Sequence, residues 1–341
     1  MNSSDTESHS QGRQSLVQQP GDFPAAAVLQ AYGKPKARQD RSVSSVTVVY
    51  YPGAVLWACI ESLLAQPELV ELILVVNGIE REGRLRLQAL TQSEPRIRLI
   101  IGQGNIGFAA GCNRGASIAT ANRLAFVNPD CVLAPGTFGN ILDVFDAKPQ
   151  AWLVGGRLQH PDGREQRGGR RQIMTPWRVF VELIRLDRLF PNHPYFARLH
   201  DYENTPIGEA AEVPMISGAF MMIARNHYER LGGMDDNMFL HADDVDLCIR
   251  VGQHGGQVWY AGHVPITHHL STSDVSRTFV EWHKTRSTSY YFIKHFQRLY
   301  PRWTLSGISV LLWLRFAILA LRALPTDLPR SLRRWIRRRH D

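Results

Sequence analysis

The chain has 341 residues, 44% apolar and 21% charged, with a formal charge of +8. That balance excludes a wholly disordered or collagen-like chain and leaves room for two ordinary domains or one large α/β domain with attachments. Seven arginines against Asp327 and Asp341 put +5 into residues 322–341 and leave +3 for all the rest, so a basic tail and not a basic domain would meet anionic partners, and no nucleic acid is expected among them.

Residues 1–42 are rich in Ser, Gln, Pro, Asp and Arg and hold no apolar run behind an N-terminal charge. This predicts a disordered arm and no secretory signal. Three β-branched, apolar runs follow, Val46 to Tyr51, Leu69 to Val76 and Ile97 to Ile101, separated by helix-compatible Trp57 to Ala65 and Glu82 to Leu90. A fourth run, Leu124 to Val127, comes after helix-compatible Phe108 to Ala119. Strands alternating with helices predict a mostly parallel α/β sheet whose chemistry gathers at the carboxyl ends of its strands.

Residues 155–212 read as a mobile loop, with the Gly- and Arg-rich stretch 161–172, followed by an inserted helical segment. Order resumes with a buried strand at Val213 to Ala224, a helix at Asn226 to Leu231, and a helix from Asp243 to Gln253 stopped by Gly255-Gly256. Val258 to Tyr260 and Val264 to Thr267 are short strand candidates. Trp303 to Leu324 is mostly apolar, but its longest uncharged stretch is the twelve residues from Trp303 to Leu314, short of the ~20 that span a bilayer. With the arginines behind it, it predicts a helix lying on an anionic membrane surface, the alternative being a core helix with a solvated tail. The four cysteines, at 59, 112, 131 and 248, form no Cys-x-x-Cys pair and are expected as buried thiols in a reducing compartment.

Four constellations bear on chemistry. Asn128-Pro129-Asp130 closes a buried strand, where a carboxylate can hold a divalent cation bridging two phosphates; Asn-Pro-Asp is also an ordinary turn. Asp235, Asp236, Asp243, Asp244 and Asp246 crowd together amid apolar residues. A helix cap explains Asp243, whereas adjacent carboxylates also suit a general base facing a cation or a proton-bearing substrate. Gly102, Gly104 and Gly107 spell G-x-G-x-x-G between a strand and a helix, which fits either a dinucleotide fingerprint or a tight turn with close packing. His263, His268 and His269 offer imidazoles for a metal or phosphate, or are surface and core histidines.

Together, GNIGFAAGCNRG (104–115), FVNPDCVL (126–133), SGAFMMIAR (217–225) and GGMDDNMFLHADDVDLCIR (232–250) resemble the inverting glycosyltransferases of family 2, in the rhamnosyltransferase-like branch that builds cell-surface polysaccharides. The resemblance implies a GT-A-like α/β domain at 43–300, flanked by the arm 1–42, an apolar amphipathic helix at 301–324 and the tail 325–341. It implies a nucleotide-sugar donor, dTDP-rhamnose in that branch, a glycan or lipid-linked acceptor, and a Mg2+ or Mn2+ ion held by Asp130 with help from His268. Asp244 would be the base and Asp243 its supporting acid, while Asn77, Asn105, Gly107, Gly111, Asn113, Asn128 and Gly218 would serve the donor. Asn128 stands for the first acid of the family's D-x-D-type element, Val76 for its frequent Asp before Asn77, and Tyr50-Tyr51-Pro52 for its early turn. The setting implied is cytoplasmic, at the inner face of the plasma membrane. A nicotinamide-dependent oxidoreductase using Gly102, Gly104 and Gly107, and a non-catalytic membrane scaffold, are the rival functions.

Overall fold

The computed structural model describes residues 41–190, 193, 208–270 and 275–327. The expected arm and nearly all of the basic tail lie outside the described residues.

The runs of Val, Ile and Leu form β1 (Val43–Tyr50), β2 (Leu69–Gly78) and β3 (Ile97–Ile100), linked by α1 (Val55–Leu64) and α2 (Arg81–Ser93). α3 (Phe108–Ile118) then carries the chain back to β4 (Arg123–Val127) beside β1, so these four strands lie parallel in the order β3-β2-β1-β4. Both faces of this half are covered, which is why the strands read as unbroken apolar runs. Ile73 and Val75 pack into one core with Val46, Val48 and Phe126, while Leu72, Leu74 and Val76 pack into a second with Leu56, Leu63 and Val127. Each such side chain taken fully from water contributes about 1.5–3 kcal/mol. α3 sits close on β1 because its inner face is glycine: a Cβ at Gly115 would lie 2.3 Å from Val46 Cγ1, and one at Gly111 2.8 Å from Val48 Cγ2.

The chain continues through β5 (Cys131–Leu133), α4 (Thr137–Ala147), β6 (Ala151–Gln159), β7 (Arg170–Arg171), α5 (Pro176–Leu183), α6 (Leu186–Leu189), β8 (Ala210–Glu212), β9 (Met215–Ile216) and β10 (Phe220–Ala224). It ends with α7 (Arg225–Arg230), α8 (Asp243–Gln253), β11 (Gln257–His268), α9 (Arg277–Phe296) and α10 (Arg302–Asp327). The main sheet runs β3-β2-β1-β4-β10-β6-β11-β5, with β8 on β11. β10 is antiparallel to both β4 and β6, so β6 and the parallel β11 point the same way as β1 to β4. The carboxyl ends of β1, β2, β4 and β11 therefore open on one edge, and Asn77, Asn128, Asp130 and His268 arrive there from distant parts of the sequence.

Several expectations shift. The run read as one strand at 213–224 is broken into β9 and β10, because Ser217 and Gly218 turn aside and the Gly218 N–H donates to Asp244 Oδ2 at 3.1 Å. The two short strands after Val258 are one strand, β11, with irregular pairing between Ala261 and Pro265. The stretch 155–212 opens as the second half of β6, and its arginine-rich part pairs as β7 with β9 in a separate two-stranded sheet. α4 and α9 had no counterpart in the sequence reading.

α9 and α10 run antiparallel, joined by Ser309 Oγ to Ser289 Oγ at 3.0 Å and by Arg315 to Glu281 at 2.8 Å. α10 turns Leu305, Ile308 and Leu312 inward, and on its opposite side leaves Trp303, Val310, Leu314, Ile318 and Leu321 exposed. The helix is apolar on both faces. Its segment Arg302–Ala323 is, by length and composition, sufficient to cross a membrane, more than the uninterrupted apolar stretch suggested.

Candidate active site

Asp130 follows β4, where the Asn128 N–H donates to the Ala219 carbonyl at 2.9 Å and fixes the strand's exit. His268 ends β11, and its Nε2 lies 3.2 Å from Asp130 Oδ1. Gln166 sets the ring: its amide nitrogen donates to the His268 carbonyl at 2.5 Å, and its oxygen lies 2.8 Å from His268 Nδ1. An amide oxygen only accepts, so Nδ1 must donate, and in the neutral imidazole the Nε2 lone pair is then turned toward Asp130. Two acceptors facing each other at this distance suit a shared cation or proton. Asp130, Cys131 and His268 each bring a ligand atom within 4.8 Å of the others. The Cys131 thiol is the poor member, since burial and then the Asp130 charge push it well above the ordinary thiol range. The carboxylate and imidazole that remain fit a divalent cation of the Mn2+ type. His269 contributes only its backbone N–H, to the Asp130 carbonyl at 2.9 Å, and His263 is exposed.

The acidic cluster separates by role. Asp246 is fully buried against Arg250, Lys294 and His295, Asp235 binds Lys294 and Asn237, and Asp236 accepts from Asn113. Asp243 and Asp244 stand at the start of α8, behind His241 and Ala242, whose φ values of 64° and 66° place two consecutive non-glycine residues in the left-handed region. Such paired strain is tolerated where the surroundings enforce it, often at working sites. Asp244 accepts from the Val245 N–H at 2.8 Å, from the Gly218 N–H, and from the Arg171 guanidinium. Asp243 is buried, and burial first, then the neighbouring Asp244 charge, raises its carboxyl above the usual range.

Asp130 and Asp244 line adjoining cavities of about 900 and 590 Å³, which share Phe108, Asn128, Leu240, His241 and Arg315 as common wall. Asn77, Asn105 and Gly107 line the first with Asp130, and Gly218 and His268 line the second with Asp244. Asn77 Nδ2 donates to the Gly107 carbonyl at 2.9 Å, and Gly107 has φ +90° with its Cα so near the Phe239 carbonyl that a Cβ would lie 2.7 Å from that oxygen. Two expected donor residues are placed elsewhere. Gly111 faces Val48 of β1, and Asn113 clamps the turn at Gly233 by accepting from the Met234 N–H and the Tyr228 hydroxyl. Arg171 went unnoticed in the sequence, where one arginine in a run of polar residues carries no signal; only the pairing of β7 with β9 brings it to Asp244.

The family model for glycosyl transferase family 2 matches residues 44–232, more than half of the chain. The chain belongs to that family. It is 28% identical over 283 residues to the N-acetylglucosaminyl-diphospho-decaprenol L-rhamnosyltransferase of Mycobacterium tuberculosis, across 77% of this chain and 88% of the relative. Among solved structures it is similar in fold to a mannosyltransferase from Pyrobaculum calidifontis in complex with GDP-Man and Mn2+, with TM-score 0.51 and 14% identity over 91% of this chain and 88% of the other. GalNAc-T7, solved with UDP, GalNAc and Mn2+, superposes with TM-score 0.52 and 13% identity over 76% of this chain and 51% of its own. This family 2 member is thus a nucleotide-sugar-dependent glycosyltransferase on a GT-A-like sheet. Gly102 and Gly104 follow β3, the outermost strand, with open space at both α-carbons, and nothing in this placement supports a dinucleotide site.

Proposed function

We propose that this glycosyltransferase moves rhamnose, with inversion, from a dTDP-linked donor to a hydroxyl of a lipid-linked sugar at the cytoplasmic membrane face. The carrying observation is that Asp244 and the Asp130–His268 pair line adjoining cavities with Asn128 on their shared wall. The Mycobacterium relative, a rhamnosyltransferase by name, supports the choice of sugar and acceptor.

Asp244 takes the proton from the acceptor hydroxyl as that oxygen attacks the anomeric carbon, while the nucleoside diphosphate departs from the opposite face of the sugar. The Gly218 and Val245 N–H groups hold the carboxylate in place. Asp243 holds its proton, because burial and then the adjoining Asp244 push its carboxyl up to about 8. Asn77, Asn105, Gly107 and Asn128 form the donor's wall, while Gly111 and Asn113 support it by packing α3 and the Gly233 turn. Asp130 and His268 hold a divalent ion, Mn2+ by the character of the donor set, which when bound stabilises charge on the departing diphosphate. The open apolar stripe of α10 lies along an anionic bilayer, with Arg315 tied to Glu281 so that the helix stays docked on its domain.

The deciding experiment is Asp244→Asn. Transfer from dTDP-rhamnose to a GlcNAc-diphosphate lipid falls by about 10²–10⁴-fold, while calorimetry with Mn2+ still registers donor binding. Near-normal turnover refutes the assignment.

A further inference from the structure

The second cavity holds more positive charge than its acids require. Arg171, Lys284 and Arg315 all line it. Arg171 is engaged by Asp244 and Arg315 by Glu281. Among the described residues Lys284 has no ion-pair partner. Arg167 and Glu182 also line the cavity, and burial raises the Asp243 carboxyl, so four cations meet Asp244 and Glu182 in the wall and Glu281 beside it, a surplus of one. The Arg171 guanidinium is also incompletely satisfied, since its Nε is buried with no hydrogen-bond partner. A guanidinium and an ammonium with spare donors around a concave space suit a phosphate oxygen better than a neutral sugar hydroxyl. The enclosing protein, and then Arg315 and Arg171, hold the Lys284 ammonium below the ordinary lysine range against the opposing pull of Glu281, as expected of a cation lacking its anion.

The site is built and not a chance of surface charge. Arg170, next in the chain, is pinned by Glu165 at 3.1 Å and stacks over Tyr260, and the Ser217 N–H donates to the Gly169 carbonyl at 3.0 Å. β7 is thereby fixed on β9, which sets Arg171 at the cavity beside Asp244.

We propose that Arg171, Lys284 and Arg315 form the site for a phosphate or diphosphate carried by the acceptor, and that its arrival draws Arg171 off Asp244 and frees the base. This rests on the glycosyl-transfer reading above and adds to it a device that keeps the base occupied until the correct acceptor is bound. The donor's own diphosphate has the same chemistry, but Asp130 and the wall with Asn77, Asn105 and Gly107 belong to the first cavity. Arg171 and Lys284 line only the second.

The test compares two acceptors on the full chain: a short-chain lipid GlcNAc-diphosphate and an uncharged alkyl GlcNAc glycoside, each with dTDP-rhamnose and Mn2+. The wild type prefers the diphosphate acceptor in kcat/KM, and Lys284→Gln and Arg315→Gln each cut that preference at least tenfold, mainly through KM, with folding checked by Tm. Equal losses on both acceptors overturn the site. A fall in dTDP affinity with the preference intact assigns the cations to the donor and likewise overturns it. Arg171→Met raises turnover on the uncharged acceptor and lowers it on the diphosphate acceptor; equal falls on both would make Arg171 only an orienting partner of Asp244 and sink the release step. A wild type that transfers to neither acceptor refutes glycosyl transfer to this acceptor class instead. In that event metal-free pyrophosphate titration of the wild type against Lys284→Gln still decides the anion site, with weaker binding by the variant supporting it and equal binding overturning it.

Discussion

Asp243 and Asp244 are neighbours in the chain and both reach the second cavity, but Asp243 is the more deeply buried of the two. The raised folded value of Asp243 has a sign that can be checked. A carboxyl that holds its proton more tightly when folded loses stabilisation as pH rises from its unfolded value, about 3.9, toward the folded one. Asp243→Asn, which needs no proton, is therefore expected to melt above the wild type, by an amount that grows from pH 4 to pH 8. A pH series of melting curves decides it, and a constant gap would show that Asp243 is charged in the fold. On the other side of the shared wall, Asp130→Ala leaves His268 alone to hold a cation. Mn2+-dependent dTDP binding is then expected to weaken by about 10–100-fold, read by calorimetry, with metal-free binding as the control. Equal weakening without metal would assign Asp130 a packing role.

α8 carries both acids at its first turn and is anchored one turn later by Asp246. Burial works against that charge, but the His295 hydrogen bond, the Arg250 charge and Lys294 outweigh it and hold the carboxyl below the usual range. A group of this kind stabilises the fold above its unfolded value and loses that contribution as pH falls through the folded one. Removing it leaves Arg250, Lys294 and His295 around a void, so Asp246→Ala is expected to cost about 3–5 kcal/mol, measured by urea unfolding at pH 7. A loss under about 1 kcal/mol would mean the cluster adds little, as exposed pairs do. The strands that frame the site were legible because Val, Ile and Leu runs buried on both faces have few alternatives, and the placement of Asp130, Asp244 and His268 at adjoining cavities was legible because each ends or begins such an element. Arg171 and Gln166 were not. They belong to a polar stretch whose order comes from β9 and from the end of β11, and no pattern along 161–172 states those partners. Gly111 and Asn113 were misplaced for the opposite reason: glycine and asparagine at a helix near a cleft serve packing and turn clamping as readily as a ligand.

Across the whole molecule, the sheet gathers the chemistry on one edge and the last two helices wall it. Arg315, Leu319 and Ala323 of α10 line the first cavity with Asp130, while Trp303, Val310, Leu314, Ile318 and Leu321 face away from the protein. Charge and apolar contact are expected to act together here. Deleting residues 325–341, which takes six arginines, is expected to weaken binding to phosphatidylglycerol vesicles by at least about tenfold, with little effect on uncharged vesicles, as measured by co-sedimentation. Unchanged binding to both would return the tail to the solvent. The sequence disclosed the length and apolar character of this helix but not that two opposite faces are apolar, since the inward one is defined by its packing on α9 and α5. One rod is thus wall of the cavity on one side and an open apolar keel on the other. A keel seated on a bilayer, as proposed, would carry the cavity's mouth at a constant height above it, so that partners confined to that plane would be met by lateral diffusion and not from the bulk.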